Sequence, residues 1–532
     1  MKKFILSLTL LVFVPGNLFS QNLDADIKQQ QDSFDEFVRS AHAEFKTFKK
    51  DIEQEYKSFR DSINAEYAKF MEEAWTEGIS KPAKQALKTP LPPVIATPEE
   101  EKTPIEESEP INTDSAPSIE PIKEGTYPQK REPSNKPEIE RNNSPSTAIA
   151  LQSEIERTLP KVTPKPKDSQ SNTEKVEFEF YGTPCSINLN STHKFTLSGV
   201  DEKSVANAWR RLSANDYTEV VNECLKYREE LNLCDWGYLR FVEIMSENFF
   251  GENLDEARVM QMFILTQSGY KVRIARGANR LVLLLPSNDE IYNYSYLNIG
   301  GTNYYVLDNT FTSSSFYVFN REFPQEQWFA LGEAKEPLLA KRQGTMRYYN
   351  SQDGKCSATF KLNNNIIDFY RDYPRNGKWN VYSKTSLSGD AKKALYPQLK
   401  KSIDGKNKAN AANILLNFVQ TAFEYKTDEE QFGEERPLFA DETLYYPYCD
   451  CEDRAILYSI LVHELLNLDV LLLHYPNHIA TAVCFESDNI KGDSLSVNGK
   501  RYIICDPTYI GASIGRTMPN FKGVSPKVIH TW

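Results

Sequence analysis

Three residues that together can make a reactive thiol occur in order near the end of the chain: Cys451, His478 and Asp506. A cysteine thiolate attacks an amide carbonyl, an imidazole hands a proton to the leaving amine, and a carboxylate fixes the tautomer of the imidazole. The run from Cys451 to about Leu466 reads as a helix that is apolar on most sides and hence buried, with Asp450 as its N-cap. A thiol at a helix N-terminus meets free backbone amides and the positive end of the helix dipole, which favour the thiolate. Glu452 and Asp453 oppose that effect. His478 opens the alternating run HIATAVCF, a strand pattern with Ile479, Thr481 and Val483 on the opposite face, and Asp506 closes a second strand, RYIICD. If these two strands pair as an antiparallel hairpin, His478 and Asp506 lie side by side near its open end.

Around these residues the chain resembles the transglutaminase-like superfamily of papain-fold cysteine enzymes. The resemblance lies in Cys451 followed by Asp453 and Ala455, in His478 at a strand start, and in the run Asp506, Pro507, Thr508. The upstream stretch FEYKTDEEQFGEERPLFADETL is similar to the segment that precedes the cysteine in bacterial members. The likeness covers roughly the last 120 residues. It implies an α+β, papain-like core in which a helix is followed by antiparallel strands, and a Cys451, His478, Asp506 triad. The oxyanion is expected at the Cys451 amide and an upstream side chain, for which Gln431 is the candidate. A buried helix with a structural cysteine, and a histidine that only ends a strand, is the plainer alternative.

The elements that carry this site sit at the end of a segmented chain. Residues 1–20 form a signal-peptide pattern, two lysines and then FILSLTLLVFV, too short to span a membrane, so export to a periplasmic or extracellular compartment is expected. Residues 21–79 carry an eleven-residue repeat: Phe34, Phe45, Tyr56 and Tyr67 share one step, and Phe37, Phe48, Phe59 and Phe70 another. Ala41, Ile52, Ile63 and Ala74 make a third series. Eleven residues span three helical turns, so an aromatic stripe stays on one face of a coiled-coil-like helix. Such a stripe implies a homo-oligomer or a partner helix through residues 22–78; a helix folded back on the rest of the chain is the alternative. Residues 80–174 are rich in Pro, Ser, Thr, Glu and Lys and read as a disordered linker that lets the catalytic part roam, with a short helix possible at 146–158. Globular sequence follows as a module at 175–320, a small antiparallel β unit at 321–405, in which CSATFKLNNN, IIDFYRDY and KWNVYSKT read as strands, and the catalytic domain at 406–532.

An offset of 198 residues maps the first globular module on the last: Asn253 falls on Cys451, Arg280 on His478 and Asp308 on Asp506. The first module therefore reads as a degenerate copy without thiol or imidazole. The eight cysteines are irregularly spaced, and no metal or cofactor site is expected from their spacing or from the six scattered histidines. A strained bridge between Cys449 and Cys451 would hold the nucleophile latent; an unbridged Cys449 is the expectation. The net charge of −12 argues against nucleic acid as the main partner, and no later run is long and apolar enough for a transmembrane span. The expected function is an exported cysteine peptidase or amidase acting on a peptide, protein or cell-wall peptide. A non-catalytic scaffold built from two modules and an oligomerising stalk competes with it, and a stalk capped by inert modules is a weaker third possibility.

Overall fold

The structure, a computed structural model, describes residues 23–85, 90–96, 111–112 and 175–531 except 216, 309–310, 312, 325, 332–334 and 486–489. The signal-peptide pattern and the helix expected at 146–158 lie outside the described residues. The chain divides into two compact units, Met1–Tyr67 and Ala68–Trp532.

The eleven-residue repeat forms one uninterrupted helix, Leu23–Glu72. Within the first unit its aromatic stripe faces water: Phe45, Phe48, Tyr56 and Phe59 are each at least 60% exposed. Burying a large apolar side chain is worth about 1.5–3 kcal/mol, so a second copy of the helix laid on this stripe would gain several such terms. A segment of residues 22–78 is therefore expected to self-associate in sedimentation analysis. A monomer at high concentration would remove the oligomeric stalk.

The second unit is mixed α+β with two six-stranded sheets. The first runs, in spatial order, Thr76–Ile79, Ser315–Val318, Arg273–Gly277, Arg280–Ser287, Thr302–Val306 and Tyr296–Ile299. The second runs Lys527–His530, Asp469–Tyr475, His478–Cys484, Lys500–Cys505, Ser494–Val497 and Ile111–Asn112. The helix Leu254–Gln267 packs on the first sheet and Cys451–Leu466 on the second. Leave out the outermost segment that each sheet takes from upstream of residue 175, and the spatial order of the remaining five strands is the same in both. The pairing register matches as well. Gly277 faces Arg280 as Tyr475 faces His478, Leu284 faces Val306 as Ala482 faces Ile504, and Ile299 faces Thr302 as Val497 faces Lys500. Each residue in the second sheet lies 198 positions after its counterpart.

Three expectations need correction. The strands of His478 and Asp506 are antiparallel neighbours but not a hairpin. The chain first visits Ser494–Val497 on the far side of Lys500–Cys505, then turns back. The run IIDFYRDY, expected as a strand, begins inside the helix Asn364–Arg371, and KWNVYSKT contains the helix Trp379–Lys384. Ile366, Ile367, Phe369 and Tyr370 bury one helical face, while Asn363 accepts a hydrogen bond from the Asn365 amide at the N-cap. In so short a run, spacing alone does not separate helix from strand. Among the described residues of this region, Gln343–Asn350 and Ser357–Asn363 form the expected antiparallel pair. Finally, parts of the presumed linker are structured. Val94–Ile95 pairs in parallel with Tyr509–Ile510, and Ile111–Asn112 with Ser494–Val497. Short apolar residues among prolines found open sheet edges there, which composition alone does not reveal.

Candidate active site

Cys451 is the first residue of the helix Cys451–Leu466, and Asp450 is its N-cap by position. The expected start is thus observed, although the Asp450 carboxylate makes no capping hydrogen bond. Asp453 does the local work instead: its Oδ2 accepts from the Asp450 amide at 3.3 Å and its Oδ1 from the Leu438 amide at 2.8 Å. The upstream stretch noted in the sequence is thereby tied to the start of the cysteine helix. Arg454, fully buried, donates to the carbonyls of Gln420 and Phe423 and covers the Tyr425 ring.

The cysteine helix packs on the strands Asp469–Tyr475 and His478–Cys484. His478 is wholly buried, and its Nε2 lies 2.8 Å from Asp506 Oδ2. Asp506 is held in turn, since Oδ1 accepts from the Thr508 amide at 2.9 Å. The imidazole stacks on Phe521, with ring centres 5.0 Å apart and planes within 4°. Its ring is therefore fixed in both tilt and position. Nδ1 is buried and has no hydrogen-bond partner. An orienting carboxylate on one nitrogen and an unused second nitrogen is the arrangement a cysteine–histidine pair requires.

The surroundings of the thiol are acidic. Cys451 Sγ donates to Glu452 Oε2 at 3.1 Å. Burial, and then the neighbouring Glu452, Asp428, Asp453 and Cys451, push the Asp450 carboxyl well above the usual carboxylate range. Burial, and then Asp453 and Glu452, push Asp428 up to about 10. Both shifts favour the neutral carboxyl over the carboxylate. The ligand atoms of Asp428, Asp450 and Asp453 lie within 4.8 Å of one another, as do those of Asp450, Cys451 and Glu452. Such a set of oxygens could hold a hard cation. Cysteine and histidine spacing could not have shown it, because Asp428 arrives from a separate helix, Asp428–Phe432.

Gln431, the sequence candidate for the oxyanion, donates through Nε2 to the Tyr448 carbonyl at 3.3 Å. It lies beside the strand Tyr448–Cys449 that leads to the nucleophile, but this donor is already engaged. Sequence reasoning missed Gln420. Its buried Nε2 lies within hydrogen-bond distance of the carbonyls of Asp506, Tyr509 and Ala512, and its Oε1 accepts from the Gly511 amide. One side chain thus shapes the loop that carries Asp506. A polar residue inside the otherwise apolar face of Lys408–Thr421 was the available signal. All eight cysteines are unbridged, Cys449 and Cys451 included.

In the first module Asn253 holds the N-cap position of the helix Leu254–Gln267 without a capping side-chain bond, and Arg280 Nη2 lies 3.5 Å from Asp308 Oδ2. The 198-residue offset therefore places Asn253, Arg280 and Asp308 at the same element ends as Cys451, His478 and Asp506. Arg280 is 44% exposed, so the pair is screened by water. Arg280→Ala is expected to cost less than about 1 kcal/mol in urea unfolding. A loss several times larger would show that the pair holds the module together.

Among the described residues, no helix is long and apolar enough to cross a membrane. Comparison of the chain with protein-family models, with curated proteins and with solved structures found no match.

Proposed function

We propose that the module ending the chain is an exported transglutaminase-like cysteine enzyme that hydrolyses amide bonds in peptides or cell-wall peptides. The observation that carries this reading is the buried His478, oriented by Asp506 through Nε2 and with Nδ1 unpartnered, on a strand against which the cysteine helix packs. Cys451 Sγ would attack the carbonyl carbon while its proton passes to His478. The tetrahedral intermediate would collapse as the protonated imidazole gives that proton to the leaving amine. Water would then attack the thioester, His478 taking its proton, to release the acid and restore the thiol. The backbone amide of Cys451, at a helix start, is the natural donor to the oxyanion. The equal strand order and register of the two sheets support an internal duplication in which the first copy has lost the chemistry.

A non-catalytic scaffold is the second reading. It is favoured by the thiol's hydrogen bond to Glu452 and by a first module with arginine in place of histidine. Arginine remains protonated near neutral pH and cannot serve as a base. Incubating the full chain and its Cys451→Ala variant with a peptide library and a cell-wall digest, read by mass spectrometry, separates the two. New termini that depend on Cys451 support the enzyme; identical digests from both chains support the scaffold.

A further inference from the structure

The chain's own upstream segment lies against the elements that carry Cys451, His478 and Asp506. Cys451 and His478 are wholly buried and Asp506 nearly so. Residues 90–96 (PLPPVIA) run across this end of the second sheet. The Leu91 amide donates to the carbonyl of Asn477, the residue before His478, at 3.1 Å. The Leu91 carbonyl accepts from Tyr425 Oη at 2.9 Å, and Tyr425 pairs with Cys449, two residues before the nucleophile. Leu91 is thus held between the elements that supply the histidine and the cysteine. Beyond two prolines, Val94 and Ile95 pair in parallel with Tyr509 and Ile510, just past Asp506, and the Ala96 amide donates to the Ile510 carbonyl. Leu91, Val94 and Ala96 pack in one apolar cluster with Tyr475, Tyr509 and Phe521, the ring on which His478 stacks.

The first sheet offers the comparison. Its 277–280 turn stands where the second sheet has the 475–478 turn. That turn borders an open cleft of about 470 Å³ lined by Gly277, Ala278, Asn279 and Tyr317, among others. Asn279 is the counterpart of Asn477, on which Leu91 is anchored. The turn that borders an open cleft in the first module thus carries a bound peptide segment in the second.

We propose that residues 91–96 occupy, in cis, the enzyme's own substrate cleft. The substrate is then an extended polypeptide that adds alongside Tyr509 and Ile510 and puts an apolar residue where Leu91 lies. Backbone pairing supplies affinity without regard to sequence, and the Leu91 and Val94 positions select apolar side chains. Prolines suit this role, because they hold the segment extended before it binds and leave few amides unpaired. While the segment stays in place, a polypeptide in trans must displace it, so the resting chain is latent. This inference rests on the proposed catalytic reading only for its link to turnover; the cleft itself is a binding claim.

The experiment uses the full chain carrying Leu91→Asp with Val94→Asp, and separately the milder Leu91→Ala, each checked for an unchanged circular dichroism spectrum. A fluorescein-labelled peptide of residues 89–97 is titrated into each by anisotropy, and Cys451 alkylation by iodoacetamide is followed by mass spectrometry. Saturable binding to the opened chains but not to the unaltered one is expected. Alkylation is expected to rise at least about tenfold on opening and to fall again with added peptide. Peptide binding with alkylation equally slow in all chains would keep the cleft and overturn the catalytic reading. No binding to folded, opened chains, with alkylation unchanged, would overturn the cleft.

Discussion

Replacing His478 by alanine is expected to slow iodoacetamide alkylation of Cys451 about 30-fold at pH 7. A cysteine of ordinary pKa, about 8.5, is only a few per cent thiolate at that pH, whereas one paired with an imidazolium is almost wholly ionised. The pair is required here because the carboxylates of Glu452 and its neighbours work against the anion, and the helix N-terminus alone must overcome them. In the unaltered chain the rate should already have levelled off well below pH 8. In His478→Ala it should climb through pH 8 to 9. Cover by residues 91–96 slows both proteins equally, so their ratio reports the imidazole. Asp506→Asn should keep the fold, since an amide oxygen can still accept from the Thr508 amide. Its NH2 group would face Nε2, however, and impose the wrong tautomer, with a loss of about 10⁴-fold in turnover of any amide substrate. Equal alkylation rates and parallel pH curves in the unaltered chain and in His478→Ala would remove the enzyme reading.

The second large effect concerns Asp428, whose carboxyl burial and the nearby Asp453 and Glu452 push up to about 10. The unfolded chain releases this proton near pH 4, while the folded chain keeps it, so the folded state binds more protons between those values. A carboxyl raised in this way gives its full contribution to stability below the ordinary aspartate range. It loses that contribution progressively as pH rises toward 10. Stability measured with a chelator present should therefore decline from pH 5 to pH 8 by on the order of a few kcal/mol. Asp428→Asn can still accept the Arg436 amide hydrogen that Oδ2 now accepts at 2.7 Å, and it has no proton to lose. Its stability should decline less over the same interval. Parallel declines in the two proteins would place the charged cluster in contact with water and contradict its burial. Added Ca²⁺ or Mg²⁺ that steadies only the unaltered protein would mean that these carboxylates hold a cation in place of protons.

Several features of this protein are local and could be read before any fold was known. The helix at Cys451 follows from a long apolar run behind an aspartate. The strand at His478 follows from strict alternation, and the aromatic stripe of Leu23–Glu72 from an eleven-residue step that matches three helical turns. The offset of 198 residues, visible as a few repeated letters, recurs in the pairing registers of the two sheets. Other features depended on which surfaces meet. The helix Asn364–Arg371 was misread because eight residues carry too few turns to separate a period of 3.6 from one of 2, and the choice fell to packing. Gln420 and Asp428 acquire their roles from residues tens of positions away, so no local spacing marks them. By composition residues 91–96 read as unstructured linker, because prolines and small apolar side chains cannot build a core of their own. They become ordered on an edge and a cleft that another part of the chain supplies, and only the tertiary structure says that such an edge lies beside the histidine.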